Sequence, residues 1–351
     1  MITLFGRNAG FYEVNEPALS RIFRPIWAEL GTVHEHLAGT LTDTHDPQIR
    51  AIADFLLEAP GKRLRPALVL LSAGAAGGAG TGTPESRLAS VKIAAAVELI
   101  HMASLVHDDL IDDAAVRHHR ASVHAQWGKR ASVYVGDYLC AKAFRLVADC
   151  ADPRLFAILG AQLSVTCEGE LQQVIGRGDF HLSEHHCLAV TEKKTAALFG
   201  ACCGAGAATA GGEARVCQAL QGYGFHLGVA FQILDDCKDL LSDREQLGKL
   251  PGQDWLAGDV TLPLLYAMQH SGRYDELAPA RSRHAAEGCE LARLGEIFQS
   301  SPAPVKIAQL IGSHLEQADR QLGPLVDSEF KESLRQLANH LTASLSGILA
   351  R

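Results

Sequence analysis

Apolar residues recur at three- and four-residue spacing along nearly the whole chain, while alternating runs rich in β-branched side chains are scarce. That period belongs to helices and leaves little from which to build a sheet. Helices are predicted over residues 16–38, 47–57, 64–74, 87–112, 132–148, 153–171, 184–210, 213–241 and 262–269, with more towards the end. The breaks at 77–86, 176–180, 248–254 and 300–304 are rich in Gly, Pro and Ser and read as short loops rather than domain linkers. With 351 residues, 47% of them hydrophobic, the chain can bury a large core. The expectation is an all-α fold, one domain over residues 1–351.

The run "TAALFGACCGAGAATAGG" (195–212) is uncharged over about the length of a membrane span. Its residues are mostly Ala and Gly, which transfer poorly into lipid but let helices approach closely, so a buried bundle helix and no transmembrane span are expected. A net charge of −8 argues against nucleic acid as a partner, because phosphate backbones need a basic face. It leaves room for a small phosphorylated ligand in a local basic pocket. The nine cysteines are scattered, odd in number and without a C-x-x-C pair, and "MITLFGRNAGFYEVNE" lacks a signal-peptide layout. A reducing, cytoplasmic setting is expected.

Against that apolar background, two acidic clusters share one spacing. "LVHDDLIDD" carries Asp108, Asp109 and Asp112; "FQILDDCKD" carries Asp235, Asp236 and Asp239. Residues i and i+4 of a helix lie about 40° apart and about 6 Å along the axis, so each D-D-x-x-D offers two carboxylates on one stripe and a third beside it. One such motif alone reads more readily as a solvated helix end. Both, however, end strongly apolar runs, where unpaired acids are costly. Hard carboxylate oxygens suit Mg²⁺, which shares its shell with waters and substrate phosphates.

Basic residues accompany the acids. "GKRLRP" supplies Lys62, Arg63 and Arg65, Arg117 follows the first motif, "EKKTAALF" contains Lys194 and Thr195, and Lys249 follows the second motif. Guanidinium forks match phosphate oxygens bidentately. Each of these residues alone could be a solvated surface charge; together with two acidic clusters they describe a diphosphate site.

In the order "GKRLRP", "ELIHMASLVHDDLID", "YVGDYLCAKAF", "CEGELQQ", "KKTAALFG", "FQILDD" and "TLPLLYAM", the chain resembles the trans-isoprenyl diphosphate synthases of the polyprenyl synthetase family. The resemblance implies an isoprenoid-synthase-type helical bundle around a deep central cavity, usually a homodimer. It implies a prenyltransferase that condenses isopentenyl diphosphate with an allylic diphosphate. The two motifs would hold Mg²⁺ on the allylic diphosphate, with Arg117, Lys194, Thr195, Gln232 and Lys249 on the same group. Lys62, Arg65 and His101 would hold isopentenyl diphosphate; His101 lies on the Asp108 stripe, two turns below. At Ala103 and Ser104, family members with short products carry bulky aromatics that floor the cavity. The small residues here imply an all-trans product of C25 or longer, within C30 to C50.

Three positions depart from the family pattern. His118 and His119 follow Arg117 where a second Arg and Gly are common, with Arg120 as a nearby substitute. Asp259 stands in "GDVTLP" where many members have Lys, and Lys238 lies inside the second motif. Alternatives stay open: a short-chain synthase, a subunit of a heteromeric synthase, a terpene cyclase, or a metal-dependent phosphohydrolase using His107 and Asp108. The cyclase lacks its usual second motif here, and the phosphohydrolase leaves the second D-D-x-x-D without a role.

Overall fold

The structure, a computed structural model, describes residues 17–59, 61–77, 82–117, 120–241, 252–270 and 289–349. Lys249, His118 and His119 lie outside them. Helices follow in the order α1 Pro17–Ile22, α2 Trp27–Thr42, α3 Pro47–Leu57, α4 Leu64–Gly77, α5 Pro84–Ile111, α6 Val123–Trp127, α7 Lys129–Ala148 and α8 Pro153–Gly176. They continue with α9 Glu184–Thr191, α10 Ala197–Thr209, α11 Ala214–Leu241, α12 Gln253–Ala257, α13 Leu262–His270, α14 Cys289–Ser300, α15 Ala303–Gln321 and α16 Glu329–Leu349. Among the described residues the extended structure is one hairpin, β1 Val116–Arg117 paired antiparallel with β2 Arg120–Ala121. The all-α expectation holds.

Several boundaries moved for identifiable reasons. The first predicted helix is interrupted by a 3₁₀ turn at Arg24–Ile26, because Pro25 has no N–H to donate to the preceding turn. Helix α5 begins earlier than residue 87: the Thr83 side chain accepts from Ser86 N and Pro84 occupies the first turn, the start signals that favour a helix. The 184–210 helix is a continuous rod with a π-helical turn, Glu192–Ala196, between α9 and α10. Helix α8 runs on to Gly176, carrying Gln173 into helical register.

Helix α10 is the centre of the bundle. Every residue from Ala197 to Thr209 is buried, against α4, α5, α8 and α11. Its Ala and Gly residues permit that close approach from all sides, as expected of a helix apolar all round. Helix α5 is long and apolar enough to cross a membrane by length and composition, yet most of that stretch is buried within the bundle. Phe199 of α10 is fully buried, as are Tyr223, Leu68, Leu71, Ile93 and Leu99 on α11, α4 and α5, which pack against it. Each such side chain contributes about 1.5–3 kcal/mol relative to exposure.

Candidate active site

Both acidic motifs sit at the C-terminal ends of 28-residue helices, α5 and α11. Asp108 and Asp109 lie in the last turn of α5; Asp112 caps it, its N–H donating to Asp108 O at 2.9 Å. A helix C-terminus carries partial negative charge, so acids there are doubly in need of cations. Two apolar rods deliver their carboxylates at this end, with Lys238 in the last turn of α11 itself.

For the first motif, cations come from elsewhere in the chain. The β-hairpin returns Arg117 to Asp109, Nε to Oδ1 at 2.6 Å. Arg177, just beyond α8, donates from Nη2 to Asp112 Oδ1 at 2.7 Å. Asp113 turns away with φ of 51° and pairs with Lys129 at 2.7 Å. Burial outweighs the nearby Lys194 and Arg117, and the Asp108 carboxyl is pushed up to about 6. Asp109 is also raised, chiefly by burial against the pull of Arg117.

The second motif is served differently. Asp236 and Asp239 are buried and Asp235 is exposed. Asp236 Oδ1 accepts from the neutral Gln232 amide at 2.7 Å, and Asp239 Oδ2 accepts from Asp254 N at 3.2 Å. Burial, with Asp235 and Asp239 adjacent, pushes Asp236 up to about 7.

Lys194 joins the two. Its Nζ donates to Gln173 Oε1 and pairs with Glu170, each at 2.9 Å, and its charge acts on both Asp108 and Asp236. Burial alone would lower the Lys194 ammonium, but Glu170 and Asp108 outweigh it and hold it above its ordinary value. The residue rides on the π-helical turn, a geometry common at functional sites. Two glycines make room for that turn. A Cβ on Gly169 of α8 would stand 2.6 Å from Lys194 N, and one on Gly228 of α11 would stand 2.7 Å from Ala196 Cα. Next along, Thr195 Oγ1 donates to Gln232 Oε1 at 2.6 Å, so Thr195, Gln232 and Asp236 form one connected strip beside Lys194. A cavity of 80 Å³ beside it is lined by Gln173, Lys194, Gln232, Asp236 and Asp259, among others.

Below the first motif the surroundings turn basic. Arg65 lies under Phe199 of α10, its guanidinium 5.2 Å from the ring centroid, and burial lowers its pKa despite nearby Cys202, Glu98 and Asp235. Arg63, at φ of 49°, pairs with buried Glu98. Burial, then the charges of Arg65, Arg117 and Arg63, hold His101 well below the ordinary histidine range. It is therefore a neutral imidazole, able to donate from one nitrogen and accept at the other. Ala103 is fully buried, and Ser104 Oγ donates back to His101 O at 2.9 Å. Arg120 stands apart: it pairs with Glu58 at 2.9 Å and stacks on Phe55.

A polyprenyl synthetase family model matches residues 46–293. The chain belongs to the polyprenyl synthetase family. A heptaprenyl diphosphate synthase component 2 from Geobacillus stearothermophilus is 35% identical over 314 residues, 89% of this chain and 95% of that protein. An octaprenyl diphosphate synthase from Haemophilus influenzae is 35% identical over 295 residues, 83% and 87% of the two chains. Among solved structures, a Caulobacter crescentus polyprenyl synthase complexed with calcium and isoprenyl diphosphate superposes with a TM-score of 0.85 at 32% identity, covering 96% of this chain and 99% of that one. This polyprenyl synthetase is a prenyltransferase, and its bundle is the all-α isoprenoid-synthase fold of those neighbours.

The donor set of the synthetase suits a hard divalent cation. Carboxylates raised to about 6 and about 7 are under-neutralised acids, the condition such an ion relieves. Among the described residues no three His, Cys, Asp or Glu side chains converge as a preformed metal site. Ions held there would complete their shells with water and substrate phosphate. Sequence reasoning found the acids, Lys194, Thr195 and Gln232, but gave no role to Glu170, Gln173 and Arg177. The first two lie in "CEGELQQ", whose i, i+3 spacing on α8 was the available signal; Arg177 lies in "GRGDF", read as a loop.

Proposed function

We propose that the synthetase elongates an allylic diphosphate with isopentenyl diphosphate, Mg²⁺-dependently, to an all-trans polyprenyl diphosphate of C25 or longer. The observation that carries this reading is Lys194, one half-buried cation acting on both acidic motifs beside the strip of Thr195, Gln232 and Asp236. Asp108, Asp109, Asp112, Asp235, Asp236 and Asp239 would hold Mg²⁺, which when bound supplies positive charge to the departing diphosphate oxygens. Lys194, Thr195 and Arg117 bind the same diphosphate from the protein side, with Gln232 orienting both Thr195 and Asp236. Donors fixed before the C–O bond ionises need no reorganisation as charge develops. The roles of Lys249, as of His118 and His119, rest on the family resemblance.

Isopentenyl diphosphate is held by Lys62, Arg65 and His101 below the first motif. Its double bond attacks the allylic cation, the new C–C bond forms, and the proton released passes to the diphosphate leaving group. The buried face of α5 under Asp108 presents small Ala103 and Ser104 to the growing tail. Residues 1–351 act as one domain, in a homodimer, in the cytoplasm. A heteromer is the second reading, favoured by relatives that are each component 2 of a heptaprenyl diphosphate synthase.

The test is incubation of purified protein with Mg²⁺, isopentenyl diphosphate and each allylic diphosphate, followed by product sizing. Products within C30 to C50 are expected; turnover only after a second polypeptide is added would favour the heteromer, and hydrolysis without elongation would sink the reading. Ala103→Phe or Ser104→Phe is expected to shorten the product. An unchanged chain-length distribution in both would show that another wall sets the length.

A further inference from the structure

Asp259 is buried at 5% exposure, an acid at a place where the family resemblance leads one to expect a lysine. Its carboxylate accepts from Arg177 Nε at 2.8 Å and Nη2 at 3.1 Å, and from Gln173 Nε2 at 2.6 Å. Both acidic oxygens are thus committed to fixing one guanidinium and one amide. The same Arg177 Nη2 reaches Asp112 Oδ1 at 2.7 Å.

We infer that Arg177 is a positioning residue of the diphosphate site: clamped by Asp259, which Gln173 in turn holds, it fixes the Asp112 carboxylate for metal binding. The inference rests on the proposed reading of the acidic motifs. A rigid planar fork held bidentately on a buried carboxylate cannot rotate, so its remaining Nη2 hydrogen points one way. Asp112 is the cap of α5, outside the regular turn, and needs such an external hold. With Oδ1 taken by Arg177, Oδ2 is the oxygen that remains for an ion.

The segments of Arg177 and Asp259 are already joined by the backbone bond from Gly178 N to Gly258 O at 2.9 Å, and Arg177 extends that join to Asp112 at the end of α5. The network also runs on: Gln173, which donates to Asp259, accepts from Lys194 Nζ at 2.9 Å. One chain of hydrogen bonds therefore sets both the cation on the first motif and the cation shared by the two motifs. The charge at 259 is reversed, and the cation is delivered one link further on. Partners that orient metal ligands in this way carry about 10–100-fold in metal affinity.

The experiment measures, in the full chain, the Mg²⁺ concentration for half-maximal rate, the KM for isopentenyl diphosphate, and calorimetric binding of inorganic pyrophosphate over a Mg²⁺ series. Arg177→Gln is expected to raise the half-saturating Mg²⁺ about 10–100-fold in both rate and binding, with the isopentenyl diphosphate KM unchanged. Asp259→Asn should shift it in the same direction by less, and the double variant should be no worse than Arg177→Gln. Arg177→Lys retains the charge and fold but cannot make all three bonds, so a several-fold rise should persist. Unchanged Mg²⁺ dependence in Arg177→Gln or Arg177→Lys, or additive effects in the double variant, would overturn the inference. Asp108→Asn is the control: if it binds Mg²⁺ and pyrophosphate like the unaltered chain, the reading of the cleft fails and the inference falls with it.

Discussion

The two aspartate motifs have the same spacing, sit at the same end of helices of equal length, and live in different surroundings. The first is met by guanidinium groups, Arg117 on Asp109 and Arg177 on Asp112. The second has Asp236 against the neutral amide of Gln232 and Asp239 against a backbone N–H. Burial raises a carboxyl in each motif, Asp108 to about 6 and Asp236 to about 7. Repeated spacing in the sequence therefore does not mean repeated chemistry. Among the described residues, arginines meet the first motif directly, while the second shares with it the charge of Lys194.

Breaking either motif should give the largest effect. Asp108→Asn and Asp236→Asn are each expected to lower kcat on the order of 10³-fold, since each removes charge from the stabilisation of the leaving group. Elongation assays with labelled isopentenyl diphosphate check this, and a tolerant variant at either position would mean that the motifs do not share one task. Next comes the residue between them. Lys194→Gln should cost on the order of 10²-fold in kcat while leaving Glu170 without its ammonium partner, read from the same assay.

The fold and the acids were legible in the sequence because both are local. Three- and four-residue periodicity fixes helices, and D-D-x-x-D is five consecutive residues on one of them. What was illegible is what crosses the bundle. Arg177 meets partners 65 and 82 positions away, and no spacing rule connects "GRGDF" to Asp112 and Asp259. The π-helical turn was hidden for another reason: "EKKTA" has nothing in its composition against an ordinary α-turn. The signal for it lies in Gly169 and Gly228, on two other helices. Pro25 is a local signal, and it interrupts the apolar pattern of residues 16–38 with a 3₁₀ turn.

That dependence on two distant glycines gives the third prediction. Gly169→Ala would press a methyl into Lys194 N at 2.6 Å and should destabilise the protein by about 1–3 kcal/mol, as a lowered Tm together with lost activity. A wild-type Tm would show that α8 can retreat and that the turn is not held from that side.

The smallest effect separates the motifs by pH. A carboxyl raised on folding keeps its proton in the native state, so its cost is absent below the unfolded value near 3.8 and complete above the folded one. In metal-free protein, Asp236→Asn should therefore stabilise on the order of 1–2 kcal/mol at pH 8. That gain should fade as pH falls from about 7 towards 4. Asp108→Asn should show a smaller gain whose window closes upward at about 6. Thermal melts of the two variants against the unaltered chain across that range check the order. Identical windows would erase the distinction between the motifs.

The central claim is that both motifs serve one diphosphate, and calorimetric titration of inorganic pyrophosphate into the protein with and without Mg²⁺ addresses it directly. The account predicts binding that requires Mg²⁺ and is lost equally in Asp108→Asn and in Asp236→Asn. Mg²⁺-dependent binding that survives intact in either variant would contradict it.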